Sequence, residues 1–181
     1  MKAFRSLFLL SALLLAACVN VPDGIQPVQN FDAERYLGTW YEIARLDHRF
    51  ERGLVDVSAT YARRDDGGIS VLNRGYRVDD EAWDEARGKA YFVRDASTGF
   101  LKVSFFGPFY GAYVIFDLDE DYQYSFVSGP NRDYLWLLSR TPTVPPSVLE
   151  RFRAHAAEVG FDTEALIVVD QSRSINALED R

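Results

Sequence analysis

The sequence predicts an all-β domain with one helix: an eight-stranded antiparallel up-and-down β-barrel, followed by a C-terminal α-helix and a short extra strand. Three observations carry this. Eight runs rich in β-branched and aromatic residues lie between Trp40 and Arg140, each bounded by turn residues. Several runs alternate with period two. The odd positions of Val55-Asp56-Val57-Ser58-Ala59-Thr60-Tyr61 are apolar or aromatic, and Leu101-Lys102-Val103-Ser104-Phe105 behaves alike. Such alternation buries one face and wets the other. Finally, the connections are short, which favours sequential hairpins over a β-sandwich with a long Greek-key crossover.

Taken in order, the chain begins with Met1-Lys2-Ala3-Phe4-Arg5 and an apolar run from Leu7 to Ala17, closed by small residues before Cys18. That is the layout of a cleaved export signal over residues 1–17, and the run is too short to span a bilayer, which takes about 20 apolar residues. Residues 18–34 contain Pro22, Gly24 and Pro27 among polar residues and read as a tether. The domain proper is expected over 35–173. Its strands are Trp40–Leu46, Val55–Arg63, Ile69–Tyr76, Gly88–Val93, Phe100–Phe106, Ala112–Leu118, Tyr122–Ser128 and Tyr134–Arg140. Between them Asp65-Asp66-Gly67-Gly68, Ser97-Thr98-Gly99, Gly107-Pro108, Asp119-Glu120-Asp121 and Gly129-Pro130-Asn131 supply turn chemistry. Gly admits positive φ, Pro fixes φ, and Asp or Asn bonds nearby backbone. Pro145-Pro146 ends the strand region. Ser147 with Glu150 forms a capping-box pattern, Val148, Leu149, Phe152 and Val159 share a helix face, and Gly160 is the stop. Leu166–Val169 is the extra strand, and residues 174–181 read as a polar tail.

Composition narrows the function. The formal charge of −7 falls to −9 once residues 1–17 are removed, because that segment holds Lys2 and Arg5 and no acid. An acidic body opposes binding to nucleic acid and adhesion to anionic lipid through a basic surface. Cys18 is the only cysteine, which excludes internal disulfides, a thiol nucleophile in the domain and Cys-based metal sites. His48 and His155 are far apart, fit no metal spacing and are expected at the surface or in loops. Glu42, Asp47 and His48 cross a strand end and are read as strand-edge charges rather than an acid–base set. No catalytic residue, metal site or cofactor is therefore expected.

Leu15-Ala16-Ala17-Cys18 resembles the lipobox of bacterial lipoproteins, which implies that Cys18 becomes the acylated first residue. Val19 stands where inner-membrane retention uses Asp, so the resemblance implies outer-membrane sorting. Gly38-Thr39-Trp40-Tyr41 resembles the G-x-W signature of lipocalins. If every connection is a hairpin, the start of the first strand and the end of the eighth share one rim. Trp40 and Arg140 therefore lie at the same rim. In lipocalins an arginine at the end of the last strand packs across the G-x-W tryptophan, so the resemblance implies that Gly38, Trp40 and Arg140 close the barrel, the guanidinium stacking on the indole. Three longer stretches, Gly38–Arg45, Lys102–Gly111 and Asp133–Arg140, are similar to the bacterial outer-membrane lipocalins. Asp121-Tyr122-Gln123-Tyr124 matches the family's Thr-Asp-Tyr element only in part.

This resemblance implies a lipid-anchored protein on the periplasmic face of the outer membrane, a calyx holding a fatty acid or lysophospholipid, and a homodimer. Alternation points Val57, Ala59, Tyr61, Ala90, Phe92, Leu101, Val103, Phe105, Trp136 and Leu138 inward, and direction counting puts Tyr113 near the open rim. A structural protein whose barrel is filled by these same side chains is the alternative. The turn Phe106–Gly111 is unusually apolar, and a ligand gate, a dimer contact, a membrane-touching rim and a cover for the barrel all remain open for it.

Overall fold

A computed structural model describes residues 19–179, so the export signal and Cys18 lie outside the described residues. A four-residue helix α1 (Ala33–Tyr36) leads into eight antiparallel strands. They are β1 (Gly38–Leu46), β2 (Leu54–Arg63), β3 (Ile69–Arg77), β4 (Ala82–Phe92), β5 (Phe100–Phe106), β6 (Phe109–Leu118), β7 (Tyr124–Ser128) and β8 (Leu135–Ser139). Neighbours in sequence pair from β2 through β8, β8 pairs with β1, and β1 returns to β2, closing the barrel. Helix α2 (Pro146–Glu158), strand β9 (Leu166–Val168) and helix α3 (Ser172–Glu179) complete it.

The sequence expectations hold for all eight strands, with β4 starting six residues earlier than its apolar pattern suggests. Its first six residues are exposed and show no apolar alternation, so only the hydrogen-bond ladder to β3, from Ile69↔Ala90 to Arg77↔Ala82, defines it. Helix α2 forms without the capping box: Pro145 is the N-cap and no side chain caps the helix. Pro146 instead takes the first helical position, where its missing N–H is no loss. Gly160 ends α2 at φ +89°, with Gly160 N–H donating to Ala157 O and Phe161 N–H to Ala156 O. These are the paired bonds of a Schellman stop.

Alternation divides the core into two. One part fills the lower barrel, with Trp40, Tyr61, Val71, Leu101, Ile115 and Val127 among its members. The other lies outside the wall, where Val114, Phe116, Phe126 and Leu137 pack against Phe152 and Ala156 of α2. Phe126 and Phe152 meet edge-on with ring centroids 5.0 Å apart. Two expectations fail here. Residues 19–31 are no free tether: Ile25 and Phe31 are buried, Val28 N–H donates to Ile115 O (2.9 Å), and Gly99 N–H to Val28 O (2.9 Å). Three apolar side chains outweigh the prolines. The tail is also ordered as α3, because Asp56, buried in β2, accepts a bond from Ser174 N–H (2.9 Å) and Arg173 stacks 3.9 Å over Tyr76. Residues 19–179 thus close the barrel and bury both cores by themselves.

The β1–β2 seam splits toward one end. Only Gly38–Tyr41 pair with β2, whereas Ala44–Leu46 pair with β9. β2 swings away at a bulge between Val55 and Ser58, where Asp56 sits at φ +50°. Gln171 bridges the split, donating to Glu42 O (2.9 Å) and Val57 O (2.8 Å).

Candidate functional site

One end of the barrel is shut by the three residues that the sequence singles out. Arg140 lies 3.9 Å over the Trp40 ring and donates to Thr39 O (3.0 Å), Arg35 O (2.6 Å) and Tyr122 O (3.3 Å). Trp40, fully buried, donates its indole N–H to Tyr36 O (2.8 Å). Gly38 adopts φ +93°, and a Cβ there would lie 3.4 Å from Arg140 Nη1. The turn from α1 into β1 needs that conformation, which an L-residue rarely adopts.

Above this closure lies a cavity of about 600 Å³. Val57, Ala59 and Tyr61 from β2, Ala90 from β4, Leu101, Val103 and Phe105 from β5, and Trp136 and Leu138 from β8 all line it, as alternation predicts. Phe92 does not. It lies at the last position of β4, paired with Leu101, and its ring packs 6.3 Å from that of Phe31 in the N-terminal segment. Tyr113 lines the cavity but at its floor rather than the open rim. Its hydroxyl shares hydrogen bonds with Tyr36 (2.8 Å) and Tyr61 (3.0 Å), and Tyr36 reaches Ser125 (3.0 Å). Direction counting misplaces it because β6 already starts at Phe109, so Tyr113 is four residues down the strand. Burial pushes the Tyr36 hydroxyl up to about 12, and raises Tyr61 and Tyr113 well above the usual range. The floor is therefore a neutral cluster of mutually satisfied hydroxyls.

The other end is open. Phe50 on the β1–β2 loop and Phe106 and Phe109 at the β5–β6 turn stand around it, 57%, 77% and 78% exposed. The turn does not fold back over the barrel. Just inside lies a polar cluster that sequence reasoning misread. Glu42 and His48 are buried in the cavity wall rather than displayed at a strand edge, while Asp47 alone is exposed, paired with Arg52 (2.7 Å). Glu42 accepts from Arg45 (2.7 Å), and Arg45 also donates to the carbonyls of Glu51 (3.0 Å) and Leu54 (3.2 Å). Glu51 lies 3.0 Å from His48 Nε2 and accepts the Trp136 indole N–H (3.0 Å). Burial, then repulsion from Glu51, push the Glu42 carboxyl well up despite Arg45. Burial also opposes ionisation of Glu51, but bonds and charge from His48, with the Trp136 bond, hold it below the usual range. Of the two carboxyls, Glu51 keeps the negative charge. The sequence signal for this cluster was the wrong-phase polarity of Glu42, inward by parity with Trp40. His155, the second histidine, is half-buried outside the barrel, 3.0 Å from Asp117.

Residues 31–171 match the family described as the Lipocalin-like domain. The chain is 59% identical over 169 residues to the outer membrane lipoprotein Blc of Vibrio cholerae, covering 92% of this chain and 99% of that protein. It is 54% identical to the protein of the same name from Escherichia coli K12, covering 91% and 94%. Among solved structures, insecticyanin from the tobacco hornworm Manduca sexta superposes with a TM-score of 0.66 at 19% identity, covering 83% of this chain and 86% of that one. That last likeness is one of fold.

Proposed function

This chain belongs to the lipocalin family, and on that premise we propose that it is a membrane-anchored carrier of one single-chain lipid, a fatty acid or lysophospholipid. The observation that carries this reading is the shape of the barrel: shut at one end by Arg140 and Trp40, open at the other, and walled mainly by apolar side chains. Such a cavity takes an acyl chain because each CH₂ leaving water contributes about 0.8 kcal/mol, offset in part by the freedom lost on binding. Val57, Ala59, Tyr61, Ala90, Leu101, Val103, Phe105, Tyr113, Trp136 and Leu138 would contact the chain, with no chemical step. A filled structural barrel is opposed by the same cavity.

The anchor would be Cys18, acylated after removal of residues 1–17. The names of the Vibrio and Escherichia relatives support an outer-membrane address, with the domain facing the periplasm, and a homodimer fits the resemblance. Replacing Cys18 by Ser would then move the protein from the membrane to the soluble fraction. The carrier reading is tested by titrating a chain that begins at Val19 with lysophospholipids and fatty acids while following tryptophan fluorescence. Saturable one-site binding, with a signal that falls in Trp136→Phe, is the expected result. A folded domain that binds none of them would defeat the reading.

A further inference from the structure

We propose that the cluster of Glu42, His48 and Glu51 is a receptor for a primary ammonium group, so that this cavity selects amine-bearing single-chain lipids over anionic ones. The inference rests on the carrier reading above and names its ligand class.

Charge complementarity points this way. The side chains that line the cavity include Glu42, Glu51, Asp84 and Glu85, and among the described residues the one Lys or Arg on its wall is Arg74. That guanidinium is stacked 3.9 Å over Trp83 on the outer half of the β3–β4 hairpin. Arg45, beneath the wall, is committed to Glu42 and to two backbone carbonyls. An anionic head therefore meets no uncommitted cation inside the mouth, whereas a cationic one meets the charged Glu51. A carboxylate brought beside Glu42 and Glu51 would add a third acid to a buried site, which low dielectric penalises.

Hydrogen-bond capacity is the second, independent observation. His48 is only 5% exposed, and neither of its ring nitrogens has a hydrogen-bond partner, although Nε2 lies 3.0 Å from a Glu51 carboxylate oxygen. The buried imidazole thus keeps hydrogen-bonding capacity unspent, and any nitrogen it leaves unprotonated is an acceptor for a donor that enters the mouth. Buried polar atoms are seldom left so. Glu42, Glu51 and His48 together present acceptors to a head group that brings donors, and an ammonium brings three. The walls suit a cation as well: the rings of Tyr134 and Trp136 lie 5.3 and 5.2 Å from His48, with Phe50 at 6.1 Å, and aromatic faces attract cations. The acyl chain would then run from this cluster down to the Tyr36–Tyr61–Tyr113 floor, which is already satisfied and needs nothing from a ligand.

The test compares lysophosphatidylethanolamine with lysophosphatidylglycerol of the same acyl chain, on the chain from Val19 and on its Glu51→Gln variant, by isothermal titration at neutral pH. In the unaltered protein the ethanolamine lipid should bind at least about tenfold more tightly, the size of one charge-assisted hydrogen bond set. Glu51→Gln, which keeps an acceptor oxygen, should reduce that ratio to about threefold or less. Equal affinities in the unaltered protein would overturn the inference and leave the carrier reading standing. Equal weakening of both lipids by Glu51→Gln would also overturn it. Binding of neither lipid would overturn the inference, and the carrier reading with it where a fatty acid of the same chain length also fails to bind. The headgroup comparison in the unaltered protein decides the matter even if Glu51→Gln fails to fold.

Discussion

Replacing Arg140 by Ala removes the closure of the barrel, and its cost follows from the geometry. The guanidinium donates to three backbone carbonyls, those of Thr39, Arg35 and Tyr122, drawn from β1, α1 and the β6–β7 turn. It also lies 3.9 Å over Trp40. A hydrogen bond from a charged donor is worth about 1.5–3 kcal/mol when buried. These carbonyls lie near the surface and can take water instead, so about 0.5–1 kcal/mol each is the fitting figure. The partly exposed cation–π contact adds about 0.5–1 kcal/mol. The sum is about 2–4 kcal/mol, a large fraction of a typical domain's stability. Equilibrium unfolding in urea, followed by tryptophan fluorescence, measures it. Arg140→Lys should recover less than half of the loss, because an ammonium keeps the charge but cannot fork to three carbonyls and stack as well. An Arg140→Ala protein within about 0.5 kcal/mol of the parent would refute the claim that this residue ties the floor together.

Other substitutions probe separate parts of the account. Ala59→Trp puts an indole into the cavity from the middle of β2 and should lower lipid affinity by more than about tenfold while the barrel stays folded; titration with circular dichroism checks both. Gly38→Ala forces an L-residue to φ +93° beside Arg140 and should cost about 1–2 kcal/mol in urea unfolding. The raised Glu42 carboxyl makes stability proton-linked. The native state holds that proton more tightly than the unfolded chain, so its contribution is full below the ordinary glutamate value of about 4.3 and is lost as pH rises toward the folded one. Glu42→Gln mimics the protonated acid, so its melting temperature relative to the parent should improve steadily from mildly acidic to mildly alkaline pH. Parallel profiles would show that Glu42 does not titrate differently in the two states.

The barrel was legible because its strands alternate and its turns carry Gly, Pro, Asp and Asn. Period-two patterning in β2 and β5 named the inward side chains correctly; counting strand directions put Trp40 and Arg140 at one rim, and the lipocalin resemblance implied that they pack together there. What escaped depends on tertiary contacts that local pattern does not encode. The segment before β1 has a linker's composition, yet Ile25, Val28 and Phe31 fall against β6 and the β4–β5 turn. Helix α3 exists because Asp56, held at a bulge, offers its carboxylate to Ser174. Neither partner signals the other in sequence. The mouth cluster was misjudged for a related reason. Glu42 and His48 look like exposed charges until Arg45, Glu51 and Trp136 are brought to them across a loop and from a strand about ninety residues away.

The central claim is that an acyl chain lies inside this barrel with its head at the mouth. Anomalous diffraction from crystals of the chain beginning at Val19, grown with a single-chain lipid brominated at its terminal carbon, tests it directly. The account predicts one bromine peak at the cavity floor, among Tyr36, Tyr61 and Tyr113. A peak on the outer wall, or beside Phe106 and Phe109 with the interior empty, would contradict it.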